Sequence, residues 1–407
     1  MKKINLTDER TITGLERLIT DKDLQASIKG NIALLCHSAS IDHQFNMGVQ
    51  KCIEIFGERL KKIFGPQHGF VTDVQDNMKE TEHYVHPYFK RPVYSLYSET
   101  RIPTDEMLAG IDTFIVDLQD VGTRVYTYIS TLGLLLEKCQ KKDIEIIILD
   151  RPNPVGGELV EGTLLKPEFK SFVGLYPIPQ RHGLTMGEVA LFGLKHLKVD
   201  VHVRVIEMKK WKRNYSFLDT HLPWVLPSPN LSTMDSAFSF VGSVLFEGTN
   251  VSEGRGTTRA LEMVGFPQIE SFSFCERVLK AFQEEDLVSL RDGFQLRPVI
   301  FLPTFQKHAG ATCGGVQIHC TDHTLFHSWT VGQMLCREFY HFLGDQFKWN
   351  NAPYEYEFHK LAIDLINGTD QVRHWVEKKG TLKELKALEN EGMSLYLNQR
   401  DDILLYR

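Results

Sequence analysis

The chain has 407 residues, more than one ordinary hydrophobic core accommodates, so two domains are expected. Its 42% hydrophobic and 24% charged residues are those of a soluble globular protein, and no apolar run approaches the length of a membrane span. The net charge of −6 supplies no overall field for nucleic acid, so any anionic ligand must be held by local arginines.

Seven cysteines are present, an odd number, and no CxxC pair occurs. Cys36, Cys139 and Cys336 sit in apolar runs and read as small core residues, and the pattern fits a reducing compartment. The opening MKKINLTDERTITG has two lysines but no apolar stretch behind them. A secretory signal is therefore not expected, and a cytoplasmic location is.

Residues 31–39 (NIALLCHSA) read as a buried strand. A second apolar run, 60–64, leads into GPQHGF. Residues 92–97 (PVYSLY), 112–118 (DTFIVDL) and 144–149 (IEIIIL) give three more strands, the last two separated by a helical pattern over 126–141. A helix over 185–197 precedes a strand at 201–206 (VHVRVI). This alternation predicts an α/β fold with a Rossmann-like, doubly wound, mostly parallel sheet. Ligands of such sheets bind outside the carboxyl ends of the strands. Here those ends are followed by His37-Ser38, Gln67-His68, Gln119-Asp120, Arg151 and Asn153. Neither GxGxxG after the first strand nor a Walker A loop is present, so a nucleotide cofactor is not expected.

From about residue 265 the texture changes. Helical patterns over 269–284, 328–341, 354–366, 369–379 and 381–397 surround strands at 296–305 and 315–320. They predict a smaller α+β auxiliary domain. The expected division is 1–264 for the Rossmann-like catalytic domain and 265–407 for the auxiliary domain. The charged segment 378–391 reads as a solvated face.

Polar residues gather in six stretches. GPQHGFVTDVQDNMKE (65–80) offers His68, Asp73, Asp76 and Glu80 as acid/base groups, at a spacing that matches no calcium loop. His68 taken alone is more often structural. DLQDVGTRVYTY (117–128) ends a buried strand with Asp117 and Asp120, and a buried carboxylate needs a partner. Arg124 is either that partner or, with Tyr126, a ligand contact. LDRPNPVGGELVEG (149–162) carries Arg151 and Asn153. GLYPIPQRHGLTMGE (174–188) places Arg181 and His182 before a helix whose cap is Thr185. Glu188, three residues on, completes a capping box, which is a structural role. PWVLPSPNLST (223–233) contributes Trp224 and Asn230. FEGTNVSEGRGTTR (246–259) concentrates Glu247, Asn250, Glu253 and Arg255 among three glycines. The glycines permit sharp turns and close backbone approach around a polar ligand; a solvated Gly-rich loop is the alternative. No GxSxG, HExxH or Cys/His protease context occurs. Carboxylate, arginine, asparagine and tyrosine at loop tips suit a polyhydroxylated substrate, and carboxylate pairs are the equipment of glycoside hydrolysis.

In this order, GPQHGF, DLQDVGTRVYTY, LDRPNPVGG with VEG, GLYPIPQRHGLTMGE, LPSPN and FEGTNVSEGRGTT resemble the motifs of NamZ-type exo-β-N-acetylmuramidases, formerly known only as a domain of unknown function. The resemblance covers nearly the whole chain, to CGGVQIH and beyond. It implies a Rossmann-like domain with a smaller auxiliary domain and a site in the cleft between them. It also implies release of N-acetylmuramic acid from the non-reducing end of peptidoglycan fragments, without nucleotide or metal. Many members carry GPEHGF followed by Arg and then Gly-Glu. Here Gln67 stands at that Glu and Val71 at that Arg, and Lys79-Glu80 corresponds to the Gly-Glu after a short insertion around residues 75–78. A Gln cannot donate a proton as a carboxylic acid does.

The expectation is an exo-acting glycosidase on muramic-acid-containing saccharides. Glu80 is the expected general acid/base, with a pKa raised by partial burial or a like charge. Glu247 or Glu253 is the second carboxylate. The lactyl carboxylate of muramic acid invites a bidentate arginine, from Arg124, Arg181 or Arg255. Gln67, His68, Asp120, Tyr126, Asn153, His182, Asn230 and Asn250 are the remaining candidates for sugar hydroxyls, the ring face and the acetamido group. No cofactor, metal, nucleic acid or membrane partner is expected. The partner is a small muramic-acid-containing saccharide, imported for cell-wall recycling, and oligomeric state is not specified. The rivals are a muro-saccharide-binding protein without turnover, as Gln67 would permit, and a hydrolase of another bond, an amidase or esterase.

Overall fold

The computed structural model describes residues 9–75, 79–285 and 292–407. Residues 1–8, read above as leaderless, and Asp76, one of the acid/base candidates, lie outside the described residues.

The first half forms seven strands: β1 (Ile32–Cys36), β2 (Leu60–Gly65), β3 (Tyr84–Val85), β4 (Pro92–Ser95), β5 (Thr113–Asp117), β6 (Glu145–Leu149) and β7 (Val203–Ile206). They join in the order β3-β4-β2-β1-β5-β6-β7, all parallel except β3, which runs antiparallel to β4. β1 and β5 are buried at every residue, as central parallel strands covered on both faces must be. Successive side chains of β1 serve opposite faces. Ala33 and Leu35 join one core, and Ile32, Leu34 and Cys36 join the other. Helices Gly14–Thr20 and Gly48–Phe56 cover the second face, and Tyr128–Cys139 and Met186–Leu197 the first. Thr185 and Glu188 form the capping box expected from sequence. Strand order reverses between β1 and β5, which opens a crevice at their carboxyl ends.

The second half is built on three antiparallel strands, β8 (Met263–Pro267), β9 (Phe294–Phe301) and β10 (Cys313–Cys320), ordered β8-β10-β9. The sequence reading missed β8, whose five residues (MVGFP) alternate with nothing polar. Helix Met234–Ser243 packs on Ser328–Leu343 through glycines. A Cβ on Gly242 would stand 1.9 Å from the Ser328 carbonyl oxygen, and one on Gly332 would stand 2.2 Å from that of Gly242. The first hydrophobic core continues without a break from Phe114 and Ile148 of the sheet to Phe274, Trp329 and Ile366 of the second half.

Two expected helices differ. The pattern over 354–366 yields only Ala362–Asn367, because Glu355 and Tyr356 are in the left-handed region (φ 44° and 68°) and turn the chain sharply. The pattern over 381–397 splits at Gly392 (φ 75°) into Leu382–Asn390 and Met393–Asp401. All seven cysteines are free, and only Cys320 is not buried. Among the described residues no helix is long and apolar enough to cross a membrane.

Candidate active site

A narrow cavity with an empty volume of about 440 Å³ lies beyond the carboxyl end of the large sheet, where it meets the second half. Its polar lining comes from five segments: Gln67 and His68 after β2; Tyr126 and Thr127 before the helix Tyr128–Cys139; Ser228; Glu247 and Arg255 from the Gly-rich stretch; and Tyr354 and Glu355.

The last pair was hidden in what the sequence presents as a helix start. Tyr354 and Glu357 instead pair across a two-residue hairpin, with N–H···O bonds of 2.9 Å in both directions. Glu355 and Tyr356 occupy its tip with positive φ, a conformation that costs a non-glycine residue of order 1–2 kcal/mol. The turn is anchored to the Gly-rich stretch. Asn350 donates to the Glu247 and Thr249 carbonyls at 2.7 and 2.8 Å, and the Tyr354 hydroxyl donates to Glu247 Oε2 at 2.8 Å.

Glu355 is thereby buried against the first half. Its Oε1 accepts from the Gln67 amide at 3.1 Å and its Oε2 from the Tyr97 hydroxyl at 2.7 Å. Gln67 is itself fixed, since its amide oxygen accepts from the Thr127 hydroxyl. Burial pushes the Glu355 carboxyl up to about 7; the bonds from Tyr97 and Gln67 oppose the shift, and the charge of Glu247 adds to it. A carboxylic acid that holds its proton near neutral pH is the equipment of a general acid.

Glu247 lies in a tight turn over Val244–Gly248 and pairs with Arg255. Arg255 Nε also lies 3.1 Å from Glu253 Oε1, and Lys307 lies 2.8 Å from Glu253 Oε2. Burial works against the charge on Arg255, but Glu247 and Glu253 outweigh it and hold the guanidinium above its ordinary range. Burial likewise raises Glu253, while Lys307 and Arg255 bring it below the usual carboxylate value. Arg255 Nη1 is buried and makes no hydrogen bond to the described residues, so one strong donor is left over. His68 has φ 71° and lies 2.8 Å from the Val74 carbonyl through Nδ1; a carbonyl only accepts, so Nδ1 carries the proton. Burial drives its pKa down to about 4, which keeps the ring neutral.

The other residues singled out from sequence lie elsewhere. Glu80 is exposed and outside the cavity lining, with the Tyr356 hydroxyl at 3.3 Å. It lacks the burial expected of it from sequence. Glu253 does not line the cavity and acts on it through Arg255. Arg124 is fully buried and donates to the carbonyls of Thr163, Ile178 and Ile366 at 2.6–2.8 Å, with no carboxylate partner among the described residues. Arg181 serves Glu161 and the carbonyls of Val155 and Phe326. Asp120 accepts from the Gly122 amide at 2.7 Å and faces His182 Nε2 at 3.5 Å. Asn153 bonds Leu184 and Val155, and Asn250 bonds Gln346 and Lys348. Asn230 ties down Gln75 through its backbone oxygen at 2.9 Å. Arg151 forms a bidentate buried pair with Asp117, at 2.5 and 3.0 Å. Gln67, His68, Tyr126, Glu247 and Arg255 are the predicted residues that the fold brings together; Tyr97, Thr127, Tyr354 and Glu355 were not predicted. Among the described residues no cluster of three or more His, Cys, Asp or Glu side chains is arranged to hold a metal ion.

A doubly wound sheet whose strand-end turn meets Glu247 and Glu355 of the second half in one cavity is the architecture of an α/β enzyme. Residues 32–235 match the family model of the N-terminal part of exo-β-N-acetylmuramidase NamZ, and residues 238–406 match that of its C-terminal part. The chain belongs to this family. It is 38% identical over 396 residues to the peptidoglycan β-N-acetylmuramidase NamZ of Bacillus subtilis strain 168, covering 97% of this chain and 91% of that protein. Two crystal structures of DUF1343 family proteins from Bacteroides fragilis NCTC 9343 are similar to it. The first has a TM-score of 0.85 at 27% identity, covering 98% of this chain and all of that one. The second has a TM-score of 0.70 at 26% identity, covering 98% and 99%.

Proposed function

We propose that this protein is an exo-acting β-N-acetylmuramidase that removes N-acetylmuramic acid from the non-reducing end of peptidoglycan-derived saccharides. The observation that carries the mechanism is the buried Glu355, poised to hold a proton near pH 7 in the same cavity as the Glu247–Arg255 pair. Glu355, rather than the exposed Glu80, donates the proton to the departing glycosidic oxygen. Gln67 and Tyr97 orient it, which gives Gln67 a use that needs no acidity. Glu247 is the second carboxylate, facing the positive charge that develops on the sugar ring. The unoccupied Nη1 of Arg255 accounts for selection of an anionic sugar, because it is a buried donor for the lactyl carboxylate. The neutral His68 offers its unprotonated Nε2 as an acceptor for a sugar hydroxyl, and Tyr126 offers its ring face.

The seven free cysteines favour a reducing compartment, and we place the protein in the cytoplasm, acting on imported muro-saccharides in cell-wall recycling. The test is incubation with β-linked N-acetylmuramyl–N-acetylglucosamine and mass spectrometry of the products. Free N-acetylmuramic acid is expected. Saturable binding of the intact sugar without release would identify a binding protein instead, and release of a lactyl or acetyl fragment would identify a different hydrolase.

A further inference from the structure

A glycan cut from its non-reducing end continues beyond the scissile bond. A wider groove, with an empty volume of about 1450 Å³, lies beside the cavity on the second half. The two share a wall. Arg255 lines the cavity, and the next residues, Gly256 to Arg259, line the groove. On the other side Gln75 lines the groove and is bonded to Asn230, which sits between the cavity residues Ser228 and Leu231.

The floor is the open face of the small sheet. Met263, Gln317 and Arg297 are cross-strand neighbours there, flanked by His319. Gly265 and Gly315, opposite each other on β8 and β10, leave that face shallow. The far wall carries Thr304 and Phe305 beside the exposed Ile300 and Leu302. Its charges are one-sided. Arg259, Arg297 and His319 line the groove, and no Asp or Glu does among the described residues, in a chain of net charge −6. Arg259 keeps its head partly in solvent while pairing with the buried Glu262 at 3.2 Å, and Arg297 donates to Gln317. Hydroxyl and amide groups (Thr257, Thr258, Thr304, Gln317), apolar faces and two arginines, one of them partly in solvent beside its buried Glu262 partner, together match an N-acetylated glycan that carries periodic carboxylates.

We propose that this groove binds the leaving-group side of the glycan, and that Arg259 and Arg297 recognise the carboxylate of the next muramic acid, two sugars past the scissile bond. The proposal rests on the muramidase reading. The enzyme then prefers a substrate long enough to place that carboxylate in the groove.

The experiment compares kcat/KM for the peptide-free tetrasaccharide (N-acetylmuramyl–N-acetylglucosamine)₂ with that for the disaccharide, which has no second carboxylate. The expected preference for the tetrasaccharide is about three- to tenfold, the size of a partly exposed charge contact. R259Q, which can still bond Glu262, and R297A each reduce the ratio, and the double variant brings it to about one. Converting the third sugar's carboxylate to an amide does the same for the wild-type enzyme. A wild-type ratio near one, or a ratio that survives both substitutions, overturns the proposal. If neither saccharide is cleaved, it is the muramidase reading that fails. The groove is then tested by calorimetry with the tetrasaccharide, where binding that ignores R259Q and R297A overturns it.

Discussion

Two loop regions of this molecule bury arginines and carboxylates, and they use them differently. Behind the carboxyl ends of β5 and β6, Arg124, Arg151, Arg181 and Asn153 direct their donors into backbone carbonyls or a dedicated carboxylate. These side chains hold loops to one another, and Arg124 reaches across to Ile366 in the second half. Around Glu247, Arg255 and Glu355 the groups bond mainly to other side chains, all facing one void. Residue type and burial do not separate a strut from a site. The destination of the hydrogen bonds does: mainly loop backbone in the first region, side chains around one cavity in the second.

The sharpest way to break that contrast is at its centre. E355Q keeps the shape of the side chain but removes the proton, and is expected to lower kcat by about 10²–10⁴-fold with little change in KM. A kcat within a few-fold of wild type would return the acid role to another residue. R255A strands Glu247 and Glu253 in a buried setting with Lys307 as the remaining cation, and should cost about 3–5 kcal/mol in denaturant unfolding as well as most activity. R124A, on the other side of the comparison, should cost about 2–4 kcal/mol of stability through three orphaned carbonyls. The protein that stays folded should nevertheless keep its KM for the disaccharide; a selective rise in KM would make Arg124 a ligand contact after all.

The pH dependence sharpens the same contrast. Glu355 binds its proton more tightly folded, at about 7, than unfolded, near 4.5. The folded state therefore holds an extra proton between those values, and this group's contribution to stability falls as pH rises from about 4.5 to 7. Activity should fall through the same upper value, as the acid loses its proton. E355Q should flatten its share of the stability slope; an unchanged slope would assign it to Glu161 and Asp150, pushed up by burial to about 7 and about 6. The smallest effect is expected from E80Q, about threefold or less in kcat, since Glu80 faces solvent.

The sheet was legible because its central strands are near-continuous apolar runs, and each expected strand of the first half is found. The Gly-rich stretch was legible as a polar cluster, of which Glu247 and Arg255 line the cavity while Asn250 and Glu253 bond within the protein. Glu355 was not legible. YEYEFHKL carries enough helix-compatible residues to extend the pattern of Ala362–Asn367 backwards, and nothing local announces two consecutive left-handed residues without a glycine. That conformation is imposed by tertiary anchors, Asn350 and Tyr354 on one side and Gln67 and Tyr97 on the other. Glu80 was favoured by its place in a motif, and sequence carries no measure of burial. Arg124 and Arg181 illustrate the converse: at strand ends a buried arginine satisfying carbonyls has the same signature as one awaiting an anion.

Glu355 stands late in the chain, while its two hydrogen-bond partners, Gln67 and Tyr97, stand early. On the role proposed for Glu355, a chain whose large sheet has formed but whose turn over 354–357 has not docked lacks its proton donor, and turnover reports on the finished molecule.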